Sequence, residues 1–384
     1  MRRERRFFDP GALLGAARAE AVSDRAALRD RLHALLADSV GCHLVADVPV
    51  GVFLSAGRDS TAIAALALEA GGGDLRSVTL GFADFAGRPE DEVPLAEEVA
   101  RSLGTRHETR RVRGGEFAAA YTRLLADMDQ PSIDGVNTWF VARATAASGL
   151  KVALSGLGGD ELFAGYPSFS GVPRLAALGR HFAFMPGRAC LRAVLAPWLG
   201  RFTSPKYAGL LEYGTTLADA YLLRRALFMP WELADVMDPD MAREGIDRLD
   251  LRASFAATIA GVPTPRTAVS ALEMGWYMRS QLLRDSDWAG MAHSLEIRTP
   301  FVDASLFAAL APLLIGPTPP GKDDMARAPA LRLPDAVLTR PKSGFNVPVR
   351  NWLAAGHGDA DADAGREHGL RGWARSVYGV FAAG

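Results

Sequence analysis

The sequence predicts an α/β protein in which helices cover a parallel sheet, followed by a mostly helical C-terminal part. As far as residue 165, short apolar runs alternate with stretches of helical spacing, which is typical of a parallel sheet covered on both faces. Beyond residue 173 the strand patterns fade, and Leu, Ala, Arg and Met recur at helical spacing between prolines. We therefore expect an N-terminal linker and helix (residues 1–40), an α/β core (41–170) and a helical remainder (171–384).

The elements of the expected core follow from the spacing of the apolar residues. Leu28, Leu32 and Leu35 are typical of one helix, and the glycine run 71–73 ends another. The expected helices lie at residues 24–36, 60–70, 91–103, 117–128 and 138–148. The expected strands lie at residues 45–54, 77–82 and 151–155. Residues 356–369, rich in Gly, Ala, Asp and His, are expected to form a mobile loop.

The composition is that of a globular protein without an excess of either charge. The 384-residue chain has 49% apolar and 23% charged residues, and no apolar run approaches the roughly 18 residues of a membrane span. Lys plus Arg (43) nearly balances Asp plus Glu (44), which predicts neither a nucleic-acid partner nor a membrane partner. The arginines at the start would suit an export signal, but Asp9 and Pro10 interrupt it, so we expect a cytoplasmic protein.

Two residue types are rare in this chain. The two cysteines, Cys42 and Cys190, are too few and too far apart for a disulfide framework or a thiolate zinc site, and we expect both to be small core residues. The chain has four lysines, and arginine supplies every other basic side chain, so a lysine near a phosphate site merits a functional hypothesis. These lysines are Lys151, Lys206, Lys322 and Lys342.

The first candidate site is the run from Leu54 to Ser60 (Leu-Ser-Ala-Gly-Arg-Asp-Ser), between an expected strand and an expected helix. Small residues let the backbone approach a ligand, and the first amides of a helix can bind an anion. Ser55 and Ser60 add hydroxyl donors, and Asp59 suits a divalent cation placed between carboxylate and phosphate. The run predicts a pyrophosphate cradle. The alternative is an ordinary helix start in which Asp59 or Ser60 is only the N-cap.

The second candidate site is the run from Ser155 to Tyr166 (Ser-Gly-Leu-Gly-Gly-Asp-Glu-Leu-Phe-Ala-Gly-Tyr). Its three clustered glycines follow an expected strand, at the end where ligands bind in open α/β sheets. Asp160 and Glu161 add a carboxylate pair at the start of a helix. The alternative is a glycine-rich turn with a capping aspartate.

These runs carry a resemblance to a known family. The spacing Ser-x-Gly-x-Asp-Ser resembles the loop of the ATP pyrophosphatases, and the sequence has no Walker-type glycine loop. Together the two runs resemble the synthetase domain of asparagine synthetase. Three more stretches agree, in the family's order: residues 47–54, residues 291–303 (Met-Ala-His-Ser-Leu-Glu-Ile-Arg-Thr-Pro-Phe-Val-Asp) and residues 333–345, with Arg-Pro-Lys-Ser-Gly-Phe at their end. The resemblance covers about residues 25–353.

The resemblance implies an adenine nucleotide alpha hydrolase-like fold and a reaction in two steps. ATP adenylates a carboxylate, aspartate or a related acid, and releases pyrophosphate; ammonia or an amine then attacks the acyl-adenylate to give an amide and AMP. Asp59 and Asp160 match carboxylates that bind Mg²⁺, and Lys322 and Lys342 match lysines that neutralise the phosphates as pyrophosphate leaves. The residues implied to bind ATP are Leu54, Ser55, Gly57, Asp59, Ser60, Leu80, Ser155 and Gly156.

Two positions depart from the family's pattern. Ala56 stands where the family usually has a glycine, and its methyl group would lie close to the phosphates. Leu157 replaces the glutamate of asparagine-forming members, and a leucine can neither accept a proton nor hold an ammonium ion. Glu296 is then the candidate base for the attacking nitrogen, with Arg298 as a partner; the alternative is a buried Glu–Arg ion pair.

The start of the chain also departs from the family. Full-length asparagine synthetases begin with a glutaminase domain whose nucleophile is a cysteine directly after the initiator methionine, whereas this chain has Arg2 and reaches the cradle at Ser55. We expect no glutaminase in the chain, so that nitrogen would come from free ammonia, a substrate amine or a separate glutaminase subunit.

Other functions stay open at this point. The acceptor could be a carboxylate of a peptide, a natural product or a polysaccharide, or the chain could be a non-catalytic nucleotide-binding relative. A tRNA-modifying ATP pyrophosphatase would need a basic surface and usually more cysteines, so the balanced charge weighs against it.

Overall fold

The computed structural model describes residues 7–22, 24–71, 73–182, 184–199, 204–340, 347–356 and 370–383. Within these residues, five parallel strands form one sheet in the order β3-β2-β1-β4-β5. The strands are β1 (Val50–Phe53), β2 (Arg76–Phe82), β3 (Arg106–Val112), β4 (Val152–Leu154) and β5 (Glu296–Arg298). The parallel sheet and the mostly helical C-terminal part confirm the predicted fold class.

Helices connect and cover the strands. Those before β5 are α1 (Pro10–Ala16), α2 (Arg25–Leu44), α3 (Arg58–Glu69), α4 (Val93–Leu103), α5 (Gly114–Asp127), α6 (Val136–Ala147), α7 (Gly159–Leu162), α8 (Ser168–Gly179), α9 (Arg188–Leu199), α10 (Leu210–Tyr213), α11 (Leu217–Arg225), α12 (Pro239–Leu249), α13 (Leu251–Thr258), α14 (Pro265–Leu272), a π-helix (Glu273–Leu282) and α15 (Leu283–Met291). Those after β5 are α16 (Ala304–Leu314), α17 (Lys322–Ala326), α18 (Asp335–Thr339), α19 (Val349–Gly356) and α20 (Arg371–Ala383). Short 3₁₀ turns lie at Ala83–Phe85, Arg180–Phe182, Pro205–Gly209, Pro230–Asp235 and Pro300–Val302.

The strand order determines where a ligand can bind. The chain adds β2 and then β3 on one side of β1, and β4 and then β5 on the other side. The direction of winding therefore reverses between β1 and β4. In open α/β sheets, the carboxyl ends of the strands at such a reversal enclose a crevice that binds ligands. Both candidate runs of the sequence begin at these two strand ends.

Two apolar layers cover the sheet. Val52 and Leu54 pack in a buried cluster with side chains of α2 and α3, including Leu32 and Ile63. Phe53, between them, packs instead against a cluster that contains side chains of α5 and α6. Because successive side chains of a strand point to opposite faces, the two clusters lie on opposite sides of the sheet. A third cluster, with Tyr221 and Phe255, forms the core of the helical part.

The first predicted helix and strand have different bounds in the structure. Helix α2 begins after Asp24, whose Oδ1 accepts hydrogen bonds from the amides of Ala26 and Ala27, and it runs to Leu44 rather than to residue 36. Its buried face continues to Val40, which explains the extra length. The strand predicted over 45–54 is accordingly reduced to β1.

Two strands were not predicted. Strand β3 lies at the edge of the sheet, and every second residue is exposed up to Arg110. Its sequence is largely charged and has no apolar run that would indicate a strand. Strand β5 has three residues and lies in the region that the sequence predicts to be mostly helical. The sheet therefore uses a strand from outside the predicted core range 41–170.

Residues 357–369, which hold most of the predicted mobile loop, lie outside the described part of the chain. No helix in the described part is long and apolar enough to cross a membrane.

Candidate active site

The turn from β1 to α3 is held by its two serines. The Ser60 hydroxyl donates to the Ser55 carbonyl at 3.1 Å and accepts from the Ser55 amide at 3.1 Å. The amide of Gly57 donates to Ser55 Oγ at 3.2 Å, and Gly57 itself is the N-cap of α3, with no side-chain cap. The interpretation of Asp59 or Ser60 as an N-cap is therefore wrong. Ser60 closes the turn, and Asp59 is left to face the crevice.

The turn from β4 to α7 requires its glycines. A Cβ at Gly156 would lie 2.9 Å from Asp59 Cβ, and a Cβ at Gly158, where φ is +92°, would lie 2.8 Å from Val302 Cγ2. The glycines thus let this turn pack directly against Asp59. Gly158 is the N-cap of α7, again without a side-chain cap, so the interpretation of Asp160 as a capping residue is also wrong.

Lys322 lies between the two turns. It begins α17, and its Nζ forms ion pairs with Asp59 and with Asp160 Oδ1, the latter at 2.8 Å. Burial alone would lower the pKa of Lys322, but the two carboxylates hold that pKa above its ordinary value. Gly165 leaves room for this contact, since a Cβ there would clash with Asp160 Oδ1 and Lys322 Cε. Residues from three distant parts of the sequence therefore meet at the Lys322 ammonium group.

These groups line a cavity of about 760 Å³ at the carboxyl ends of the strands. All the predicted ATP-binding residues line it: Leu54, Ser55, Gly57, Asp59, Ser60, Leu80, Ser155 and Gly156. Asp160, Lys322 and the family departures Ala56 and Leu157 line it too. Ala56 is buried, at 1% exposure. Lys342 lies outside the described residues, so its role stays a prediction.

The structure does not bring Glu296 to this cavity. Glu296 pairs with Val152 at the amino end of β4, whereas the cavity lies at the carboxyl ends. Its side chain is 58% exposed and accepts a hydrogen bond at 2.7 Å from Arg298 Nε. Arg298 also donates to the carbonyls of His43 and Val45, at 2.8 Å each. The pair is a surface contact at the other end of the sheet, which corrects both the candidate base and the buried ion pair.

The cysteines also differ from the prediction. Cys42 and Cys190 are both exposed rather than small core residues. Neither lines the cavity.

The carboxylates of Asp59 and Asp160 fit a magnesium ion. Both reach the same ammonium group, so both can reach one cation that lies between them. Mg²⁺ usually binds through one or two carboxylates together with phosphate oxygens and water, and does not need a larger protein cage. Within the described part of the chain, no three His, Cys, Asp or Glu side chains form a metal-binding group.

One side of the cavity was not predicted from the sequence. Tyr277, on the π-helix, and Tyr166 lie there, with their rings edge to face at a centroid distance of 6.1 Å. The Tyr166 hydroxyl donates to Glu161 at 2.9 Å, and the Tyr277 hydroxyl donates to Asp134 Oδ2 at 3.4 Å. We call these four residues the tyrosine wall. Tyr166 and Glu161 belong to the second run, but no motif marks Asp134 or Tyr277.

An ion pair between Arg225 and the buried Glu273 supports the tyrosine wall from behind. The Arg225 guanidinium lies 3.8 Å from the ring centroid of Tyr277 and 4.7 Å from that of Tyr166. Its Nη2 is 2.8 Å from Oε2 of Glu273, which has no exposed surface. Burial raises the pKa of Glu161 to about 7, and the charge of Asp160 adds to the rise. This side of the cavity is therefore aromatic and acidic.

A parallel five-stranded sheet flanked by helices, with two glycine-containing turns at its central strands, is the arrangement of the adenine nucleotide alpha hydrolase-like folds. The chain belongs to the asparagine synthase family, whose model matches residues 31–371.

Three relatives illustrate this similarity. A Mycobacterium tuberculosis protein, provisionally named a glutamine-hydrolysing asparagine synthetase, is 35% identical over 92% of this chain and 52% of its own length. Glutamine-hydrolysing asparagine synthetase 1 of Bacillus subtilis is 29% identical over 82% of this chain and 49% of its own. Glutamine-hydrolysing asparagine synthetase B of Escherichia coli is 31% identical over 41% of this chain and 31% of its own. The chain thus spans about half the length of the first two relatives.

Proposed function

We propose that this chain is an ATP-dependent amide-forming ligase that adenylates a carboxylate and transfers ammonia or an amine to it. One observation carries the proposal: Lys322 joins Asp59 and Asp160 inside the cavity that the two turns form at β1 and β4. An ammonium group and two carboxylates at a strand-end crevice are the charges that an ATP–metal complex requires.

The first step would use the cradle. The first amides of α3 have no partners within the helix and suit the phosphates, with the Ser55 and Ser60 hydroxyls beside them. Leu54 and Leu80 offer an apolar wall for the adenine and ribose. Lys322 would stabilise the charge that develops as pyrophosphate leaves, and Lys342 is proposed for the same task. Magnesium held by Asp59 and Asp160 would neutralise phosphate charge.

The second step joins nitrogen to the activated carboxyl carbon. Free ammonia, a substrate amine or ammonia from a separate glutaminase subunit are the proposed nitrogen sources. The acceptor is proposed to be aspartate or a related acid, with a peptide, natural-product or polysaccharide carboxylate as the alternative. Leu157 lines the cavity without a charge or a proton acceptor, which favours an acid other than aspartate.

Exchange of labelled pyrophosphate into ATP tests the first step without a nitrogen donor. We expect exchange with at least one acid of a panel that includes aspartate, amino acids, uronic acids and peptides. Asp59→Asn and Asp160→Asn should each lower it by on the order of 10²-fold or more, because the cation loses a ligand. Glu296→Gln, a change at the other end of the sheet, is the control. Absence of exchange with every acid, or near-normal exchange in both aspartate variants, would contradict the proposal.

A further inference from the structure

The second step needs a group that takes a proton from the attacking nitrogen, and most carboxylates of the cavity are already engaged. Asp59 and Asp160 contact Lys322, and Glu92 pairs with Arg340 at 3.4 Å. Glu161 is buried and accepts from the Tyr166 hydroxyl. Glu296 lies at the other end of the sheet. One carboxylate that lines the cavity, Asp134, remains to be considered.

Asp134 has weak partners and a fixed position. Its carboxylate accepts from the Tyr277 hydroxyl at 3.4 Å and from the Gly135 amide at 3.2 Å, and it has no ion pair among the described residues. The Asp134 amide donates to Ser132 Oγ at 3.3 Å, and Ser132 Oγ donates to Asp285 at 2.8 Å. A weakly held carboxylate on an ordered backbone can exchange its present partners for a substrate.

The backbone at Asp134 is held by its neighbours. Gly135 has φ of +82°, and a Cβ there would lie 2.7 Å from Trp288 Cζ2 and 3.2 Å from Asp285 Cβ. Trp288 Nε1 in turn donates to Asp285 Oδ1 at 2.9 Å. The turn before α6 is therefore packed tightly against α15, and Asp134 is directed into the cavity beside the π-helix.

We propose that Asp134 binds the attacking nitrogen and accepts its proton during amide formation, with Tyr277 as its positioning residue. This inference rests on the proposed function. In the step, the nitrogen lone pair forms the C–N bond to the acyl carbon, and the C–O bond to AMP breaks with its electron pair on the phosphate oxygen. The N–H proton passes to the Asp134 carboxylate.

The electrostatics of the site agree with this role. Burial raises the pKa of the Asp134 carboxyl, while hydrogen bonds from Gly135 and Tyr277 and the charge of Arg225 oppose the rise. Asp285, behind the turn, has its own pKa raised to about 6 by burial. From the π-helix side, Tyr277 is the group that faces Asp134, with Arg225, Glu161 and Glu273 beyond it. A carboxyl with a raised pKa is a better base near neutral pH.

The test separates the two steps in one protein. With an acid that supports pyrophosphate exchange and ammonium chloride as nitrogen source, Asp134→Asn should lower amide formation by at least about 100-fold, a loss typical of a removed general base. Exchange should change by less than about twofold. Asp129→Asn removes an exposed carboxylate five residues earlier that pairs with Arg284, and should change neither rate.

The pH dependence distinguishes a proton acceptor from a structural residue. In the wild type, amide formation should fall as the pH drops through the pKa of Asp134, because the protonated carboxyl cannot accept a proton. Tyr277→Phe removes a donor that lowers this pKa, so the acidic limb should move to higher pH while that of exchange stays in place.

Equal losses of exchange and amide formation in Asp134→Asn would overturn the proposal, as would an unchanged amide rate or an unmoved limb in Tyr277→Phe. If the wild type shows no exchange with any acid, the proposed function fails, and this inference fails with it.

Discussion

At the scale of single residues, the space at Gly165 decides whether Lys322 can reach Asp160. A Cβ at this position would clash with both side chains, and the Gly165 amide also donates to the Asp160 carbonyl at 2.9 Å. The contact between the Lys322 ammonium group and Asp160 therefore requires a residue without a Cβ at position 165. Gly165 does not have a positive φ, so a left-handed backbone does not require glycine at this position.

We predict that Gly165→Ala lowers pyrophosphate exchange at least about tenfold and destabilises the fold by about 1–3 kcal/mol, as overpacking usually does. Gly171→Ala is the matched control, since a Cβ there has no neighbour within 4 Å and alanine suits the interior of α8. Pyrophosphate exchange and urea unfolding of both variants provide the measurement. An active Gly165→Ala protein would show that the Lys322–Asp160 contact is dispensable.

Residue-scale prediction from sequence succeeded where a motif is local. The spacing from Ser55 to Ser60, and the glycines after Ser155, depend on a few neighbouring residues. The whole first run therefore lines the cavity, as do Gly156 and Gly158 of the second. The prediction of Glu296 as a base was wrong because Glu296 lies at the amino end of β5, away from the crevice at the carboxyl ends of the strands. Tyr277 and Asp134 escaped notice because packing between distant helices, and no local pattern, brings them to the cavity.

At the scale of elements, Glu273 joins three helices behind the tyrosine wall. Its carboxylate accepts from the hydroxyls of Ser168, at the start of α8, and of Tyr221 on α11, and it pairs with Arg225. Glu273 itself begins the π-helix that carries Tyr277. An ion pair with a fully buried partner contributes little net stability compared with an apolar core, but removal of one partner leaves the other charge uncompensated.

Glu273→Gln should therefore destabilise the protein by about 3–5 kcal/mol. Glu244→Gln, in an exposed pair with Arg248 on α12, should cost no more than about 0.5 kcal/mol. Free energies of unfolding from urea titrations measure both. A Glu273→Gln protein as stable as the wild type would mean that Ser168 and Tyr221 alone hold these helices together.

The elements themselves show why a sequence reveals some strands and hides others. Strands β1, β2 and β4 are buried and appear as apolar runs, because both of their faces are covered. The edge strand β3 alternates exposed charged residues with partly buried ones, and β5 is too short for any periodicity. The edge position of β3 and the pairing of β5 with β4 are set by the assembled sheet, so the local sequence of neither strand reveals it.

At the scale of the whole molecule, the sheet and the helical part meet at the cavity. The cradle and the second run come from the sheet, Lys322 from α17, and Tyr277 from the π-helix. The predicted division at residue 170 thus passes through the candidate site. Its nucleotide side could be predicted from motifs, whereas the tyrosine wall depends on how the helical part packs.

Whether the protein can take nitrogen from glutamine depends on nucleophiles anywhere in the chain. Release of ammonia from glutamine usually requires an activated nucleophile beside a base. Cys42 lies on α2 and Cys190 on α9, both are exposed, and neither lines the cavity. We therefore predict that the 384-residue chain forms amide from ammonium chloride and releases no glutamate from glutamine.

The measurement compares amide, AMP and glutamate produced with each nitrogen donor, using an acid that supports pyrophosphate exchange. Cys42→Ser combined with Cys190→Ser is the matched control and should leave ammonium-dependent amide formation unchanged, because neither thiol contacts the cavity. A separately added glutaminase should restore amide formation from glutamine by releasing ammonia into solution. Glutamate release by the purified chain that disappears in the double serine variant would contradict the prediction and place a glutaminase nucleophile within this sequence.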